Sequence, residues 1–235
     1  MKVTYYKKYT GKSNSIVDAL KAIGVDSSLK NRKKIGALNG LSAGKKKDNV
    51  KMLELLKKGK LIKQIIKTNA EEYVELLSKY SDTYLNYGKY FFYSWTNAEK
   101  TFAKAKKRVK AKKKTGTTCV VPVRWGLHDM EIPCDGFYGK EGKFAGYSKT
   151  LQKYLKKINT GEAIGKTIKQ AVDAKLLKAG DIICFKDSTH TFVYTGVKYL
   201  VFDGGSKAEY EKTGILVDYS KVNKSRKISE ILRWK

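Results

Sequence analysis

The sequence predicts an α+β chain: a small three-helix N-terminal module, then a larger domain in which a helix-borne cysteine packs on an antiparallel sheet. Three observations lead there. Apolar residues recur at helical spacing through residues 10–62, with glycine and polar stops between the runs. Short β-rich runs cluster after residue 180. Between these regions Cys119 follows the turn-like run Lys114-Thr115-Gly116-Thr117-Thr118 and leads into an apolar stretch.

In the module, Ile16, Leu20 and Ile23 fit one helix, and Gly24 stops it. Ser27 or Ser28 caps a second helix through Ile35 and Leu38, which ends at Asn39-Gly40. Val50, Leu53 and Leu56 carry a third helix to Gly59. The expected boundary places residues 1–64 in this module and 65–235 in the second domain.

The second domain begins with a helical, basic lead-in over 65–114. Asn69 caps a helix whose stripe is Tyr73, Leu76, Leu77, Tyr80 and Tyr84, and Gly88 breaks it before the aromatic run Tyr90–Trp95. Tyr93 and Trp95 belong to that run. A helix from about Asn97 sets Phe102, Ala105 and Val109 on one face. Lys100, Lys104, Lys106, Lys107, Arg108, Lys110 and Lys112–Lys114 occupy its other sides. That surface is either a contact for phosphate-bearing polymers or a solvated face. Helices are then expected at 119–130, 148–157 and 164–176. Strands are expected at Asp181–Phe185, His190–Thr195, Lys198–Phe202 and Ile215–Val217.

Composition sets the partner class. A formal net charge of +28 favours polyanions: nucleic acid, anionic lipid, or the teichoic acids of a bacterial wall. Hydrophobic content of 41% with 16 Tyr, 8 Phe and 3 Trp argues against general disorder. The start Met1-Lys2-Val3-Thr4-Tyr5-Tyr6-Lys7-Lys8 has no apolar segment of the secretory kind, so synthesis in the cytoplasm without a signal peptide is expected. No run approaches the ~18 apolar residues of a membrane span. Three cysteines are too few for a disulfide scaffold. No CxxC or HExxH spacing suggests a metal site, and neither metal nor cofactor is expected.

The chemistry rests on rare residues. Cys119 is followed about seventy residues later by His190, one of 2 histidines, and then by Asp203. Nucleophile, base and orienter in that order are the parts of a thiol hydrolase. Pro122 belongs in a first helical turn, which sets Cys119 at or just before a helix N-terminus, with its sulfur accessible. His128, nine residues on, falls on the opposite face of that helix. The run Thr195-Gly196-Val197-Lys198 suits a two-residue hairpin with Thr195 paired to Lys198. Tyr194 then faces Tyr199, Phe192 faces Val201, and His190 faces Asp203, within reach of an imidazole–carboxylate hydrogen bond. Cys184 reads as a buried strand residue, and Cys134 lies in a loop. Tyr93, Trp95 and Trp125 are the candidate substrate contacts.

Two stretches resemble known families. Tyr9-Thr10-Gly11-Lys12-Ser13-Asn14-Ser15-Ile16-Val17-Asp18-Ala19-Leu20, with Gly24-Val25-Asp26-Ser27-Ser28 and Asn31-Arg32-Lys33-Lys34-Ile35, resembles a short cell-wall-targeting module of Firmicute phage lysins. Thr118-Cys119-Val120-Val121-Pro122-Val123-Arg124-Trp125-Gly126-Leu127 resembles the helix-borne nucleophile of NlpC/P60-like, papain-like cysteine peptidases. Lys178-Ala179-Gly180-Asp181-Ile182-Ile183-Cys184-Phe185 and His190-Thr191-Phe192-Val193-Tyr194-Thr195-Gly196 resemble that family's following strands. The usual Asp-Cys-Ser-Gly is here Thr118-Cys119-Val120-Val121, and the usual His-Val-Gly-Ile is His190-Thr191-Phe192-Val193.

The resemblance implies a phage or prophage endolysin that cleaves a peptide or amide bond of peptidoglycan. It further implies Cys119, His190 and Asp203 as the catalytic residues, Tyr93 or Trp95 as a wall of the substrate groove unless they join the core, and action on the wall after release. Two alternatives stand beside it. One is a basic nucleic-acid-binding protein without catalysis, which no HTH, RRM or zinc-finger pattern supports. The other is a papain-like acyltransferase or inactive wall binder.

Overall fold

The structure, a computed structural model, describes residues 2–94, 96–133, 149–185, 190–205, 210–220 and 226–235. The expectations placed on Trp95 and Cys134 lie outside the described residues. Two compact units divide the chain, Met1–Thr68 and Asn69–Lys235. Both mix helix with strand, in keeping with the α+β class.

The first unit holds α1 (Ile16–Ala22), α2 (Leu29–Leu38) and α3 (Lys46–Lys57). Ser15 and Ser28 cap the first two, each side chain accepting from a backbone N–H three residues on. Ile16, Ala19, Leu20, Ile35, Met52, Leu53, Leu56 and Leu61 form its core. Val50 is exposed, and Met52 fills the place expected for it. The module is not all-helical, because β1 (Lys2–Tyr5) pairs antiparallel with β2 (Ile62–Ile66). Strand β2 runs through the expected boundary at residue 64. Its partner lies some sixty residues away in sequence, so no local pattern announced the pair. Asn39 fixes this strand: Ile62 N–H donates to Asn39 Oδ1 at 2.9 Å, and Asn39 Nδ2 donates to the Ile62 carbonyl at 3.1 Å.

The second unit opens with α4 (Asn69–Tyr87), whose Tyr73, Leu77, Tyr80 and Tyr84 are buried at helical spacing. A short 3₁₀ turn leads to β3 (Phe91–Tyr93). Then come α5 (Phe102–Lys110), β4 (Thr115–Thr117) and α6 (Val120–Asp129). Strands β3 and β4 pair in parallel. Thr101 caps α5, so the helix starts later than Asn97. Helix α6 is buried from Val120 through Leu127. Gly126 lets it lie against α4, since a Cβ there would sit 2.5 Å from Tyr73 Cε2. Tyr73 also donates to the Val123 carbonyl at 3.0 Å.

The rest of the unit runs α7 (Leu151–Tyr154), β5 (Leu155–Ile158), α8 (Ile168–Asp173), β6 (Ile182–Phe185), β7 (Thr191–Tyr194), β8 (Leu200–Phe202), α9 (Tyr210–Thr213), β9 (Leu216–Asp218) and β10 (Ile228–Trp234). Six strands form one antiparallel sheet in the order β5-β10-β6-β7-β8-β9. Ile182, Val193, Phe202 and Leu232 belong to the core that α4 and α6 share. Ile183, Phe185, Phe192, Val201, Val217 and Ile231 pack with Ile168 and Ala171 of α8. The alternation along each strand is what a sheet covered on both faces requires. Burying each such side chain fully contributes about 1.5–3 kcal/mol.

The helix expected over 164–176 is confined to Ile168–Asp173. The helix expected over 148–157 ends at Tyr154, because Leu155–Ile158 is captured as an edge strand by β10. Strand β10 itself was not expected. A register shift between Ile228 and Glu230 breaks the two-residue alternation by which strands are recognised.

Candidate active site

Cys119 occupies the N-cap position of α6 with helical φ −55° and ψ −33°. Pro122 sits in the first turn, where its missing N–H leaves no helical bond unmade. The thiol is therefore at the positive end of the helix dipole. His128 lies at the far end of the same helix, exposed and 3.3 Å from Asp129 Oδ1 through Nδ1.

His190 immediately precedes β7, and Asp203 immediately follows β8. The hairpin between them is longer than expected. Val193 pairs with Phe202 and Tyr194 with Val201, a register two residues from the expected one. Thr195 sets the wider loop: its Oγ1 accepts from Val197 N–H at 3.0 Å and donates to the Leu200 carbonyl at 2.9 Å. Continued outward, this register puts Gly205 opposite His190 and Asp203 diagonal to it. A shift of two residues preserves the face of every side chain, where a shift of one would have reversed it. Diagonal neighbours remain within reach of long side chains, and His190 Nε2 lies 2.7 Å from Asp203 Oδ2.

Three groups converge at Gly205. A Cβ built there would lie 3.0 Å from His190 Cε1, 3.2 Å from Asp203 Oδ1 and 3.3 Å from Cys119 Cβ. The preceding Gly204 is as tightly placed, since its Cβ would meet Pro122 Cγ at 2.5 Å and the Thr118 carbonyl at 2.6 Å. Two glycines thus let the chain after β8 press onto the start of α6. Because Nε2 is engaged by Asp203, Nδ1 is the ring nitrogen left to the thiol.

Asp203 is buried and held by several donors. Oδ1 accepts the Gly205 N–H at 2.8 Å, and Oδ2 accepts the Tyr219 hydroxyl at 3.3 Å as well as the imidazole. The Tyr219 ring packs on Phe192 with centroids 4.6 Å apart. Tyr210 donates to the Gly204 carbonyl at 2.6 Å, which anchors the turn from its other side. Neither tyrosine was singled out in the sequence. Tyr219 stands sixteen residues beyond Asp203, and only the return of β9 beside β8 brings it back.

Burial alone would lower the His190 pKa, but hydrogen bonds to Asp203 and Cys119 and the charges of both more than reverse this. The imidazole is pushed up to about 9. The arrangement therefore favours an imidazolium beside the sulfur at neutral pH. A charged ring beside a cysteine sulfur is a feature that thiol nucleophiles share.

Accessibility differs from expectation. Cys119 is 1% exposed, not open to solvent. Packing between α6, the Gly204-Gly205 turn and the imidazole covers it, whereas the His190 side chain keeps 15% exposure. Trp125 does not face a groove: it is 0% exposed, packs against both Tyr80 and Phe102, and donates from Nε1 to the Glu99 carbonyl at 2.8 Å. Tyr93 is 40% exposed on β3, in register with Thr117 of β4 two residues before Cys119. Cys184 is buried in β6, and burial pushes its thiol up to about 12, so it is inert as a nucleophile. Among the described residues no group of three or more His, Cys, Asp or Glu side chains is arranged to hold a metal. None of their helices is long and apolar enough to cross a membrane.

No protein-family model, curated protein or solved structure matches the chain.

Proposed function

We propose that the chain is a peptidoglycan hydrolase of the papain-like, NlpC/P60-like kind, cleaving a peptide or amide bond of the bacterial wall. The observation that carries this reading is the convergence of Cys119, His190 and Asp203 around Gly205. The first unit is the wall-binding module of such an endolysin, and the resemblance over residues 5–62 supports that assignment.

The reaction draws only on side chains. Asp203 holds the imidazole through Nε2, and His190 takes the proton of Cys119. The thiolate attacks the amide carbonyl, and its electrons move onto the oxygen. The Cys119 backbone N–H at the helix start stabilises that oxyanion. Collapse expels the amine, which leaves with the proton from His190, and a thioester remains. His190 then deprotonates water, which attacks the thioester and returns Cys119 as thiol. Because Cys119 is covered, the cycle needs an opening over the sulfur, and the turn at Gly205 is one of the parts packed close to it.

The test is mass spectrometry of purified peptidoglycan after digestion with the wild-type chain and with Cys119→Ala. Soluble fragments with a newly freed amine and carboxylate are expected from the wild type alone. Equal release by both would reject the thiol mechanism. Release of glycan products cut at sugar linkages would reject the bond class.

A further inference from the structure

The second unit carries a basic surface that the thiol chemistry does not use. Helix α5 buries Phe102, Ala105 and Val109, so Lys104, Lys107, Arg108 and Ala111 form successive turns of its opposite, exposed side. Past the helix the chain bends back. Lys112 adopts φ 57°, and Lys113 N–H donates to the Arg108 carbonyl at 3.0 Å. Arg108 secures the bend by donating to the Lys114 carbonyl from Nη2 at 2.9 Å and from Nε at 3.3 Å. A concave cup of about 260 Å³ results, lined by Glu99, Lys104, Lys107, Arg108, Ala111 and Lys113.

The charge in this cup is unbalanced. Its one carboxylate, Glu99, is already 3.3 Å from Arg108 Nε. Among the described residues Lys104, Lys107 and Lys113 have no carboxylate partner. Three ammonium groups around one concavity repel each other until an anion enters. Ala111 and the lysine stems give an apolar floor for a short linker between anionic groups.

We propose that this cup docks the phosphodiester groups of an anionic wall polymer of the poly(glycerol phosphate) type, holding the hydrolytic unit at its substrate. The choice of polymer rests on the wall-hydrolase reading. A concave cup on a nine-residue helix suits a phosphate or two of a flexible chain. Duplex nucleic acid instead offers phosphates along two rigid strands and needs a broader face. The last residue lining the cup, Lys113, stands six residues before Cys119 in sequence, so cup and site belong to one unit.

The test compares full-length chains carrying Cys119→Ala, so that binding is read without cleavage. One adds Lys104→Glu, Lys107→Glu and Lys113→Glu. A control adds Lys153→Glu, Lys198→Glu and Lys212→Glu, the same change in net charge at other exposed sites of this unit. Binding to poly(glycerol phosphate) and to a single-stranded oligonucleotide of equal charge is measured against salt. The cup variant is expected to bind poly(glycerol phosphate) at least tenfold more weakly than the control. Its log–log salt slope should be shallower by about 1, as loss of one or two phosphate contacts on a flexible strand implies. Equal binding by cup variant and control overturns the proposal. So does tighter binding of the oligonucleotide than of poly(glycerol phosphate), which would make the cup a nucleic-acid contact. Either result is independent of whether wild-type chain digests peptidoglycan, so a failure here is distinct from a failure of the hydrolase reading.

Discussion

His190 Nε2 and Asp203 Oδ2 lie 2.7 Å apart across a hairpin whose register makes them diagonal neighbours. The wider loop at Thr195 moves Asp203 along the strand without changing its face. The carboxylate reaches back to the ring while Gly205 takes the position directly opposite. Asp203→Asn keeps the shape but removes the charge that supports the imidazolium. The kcat on peptidoglycan fragments should fall on the order of 10²–10⁴-fold with the fold intact. A variant within threefold of wild type would remove Asp203 from the mechanism.

The pH dependence follows from the ring. His190 is raised from its ordinary 6.5 to about 9. The proton needed by the leaving amine is thus present at neutral pH and lost as the pH passes about 9, so kcat/KM should have its alkaline limb there. The same shift has a sign for stability. The folded value lies above the unfolded one, so this contribution is complete below about pH 6.5 and disappears as the pH rises through about 9. NMR titration of the imidazole would check both. A midpoint below 7 in the folded protein would contradict the geometry.

Tyr219 gives a subtler test. Its hydroxyl and the imidazole share Asp203 Oδ2, and its ring is fixed against Phe192. Tyr219→Phe keeps the packing and removes only the donor, worth about 1 kcal/mol or roughly fivefold in rate. Lower kcat with unchanged KM is expected. A carboxylate relieved of one donor also holds the imidazolium more strongly, so the alkaline limb should move to higher pH. A purely structural role for Tyr219 would leave that limb where it is.

Residues that act through neighbours in sequence were legible; those that act through distant ones were not. Pro122 marked the start of α6, and the β-rich runs around residues 181–202 became β6, β7 and β8. The same-face relation of His190 and Asp203 survived an error in the turn, because the error was an even number of residues. Strand β10 was missed since its bulge scrambles the alternation, and β1–β2 since its partners are remote. Trp125, a candidate substrate contact by sequence, stands six residues beyond Cys119 on a helix buried from Val120 through Leu127, which carries it into the core. The burial of Cys119 was likewise invisible, as it depends on a glycine turn eighty-odd residues away.

Gly204 and Gly205 should separate fold from chemistry. An alanine at 204 would place its Cβ 2.5 Å from Pro122 Cγ and 2.6 Å from the Thr118 carbonyl, both parts of a rigid helix start. Gly204→Ala should therefore lower the melting temperature by several degrees, because backbone has to move. An alanine at 205 meets side chains instead, at 3.0 Å from His190 Cε1 and 3.2 Å from Asp203 Oδ1. Those can yield by a few tenths of an ångström, at the cost of the alignment between ring, carboxylate and sulfur. Gly205→Ala should melt within a few degrees of wild type yet lose about ten- to a hundredfold in kcat, since small misplacements of reacting groups are costly. Full activity in Gly205→Ala would mean that the three side chains do not act together at this point.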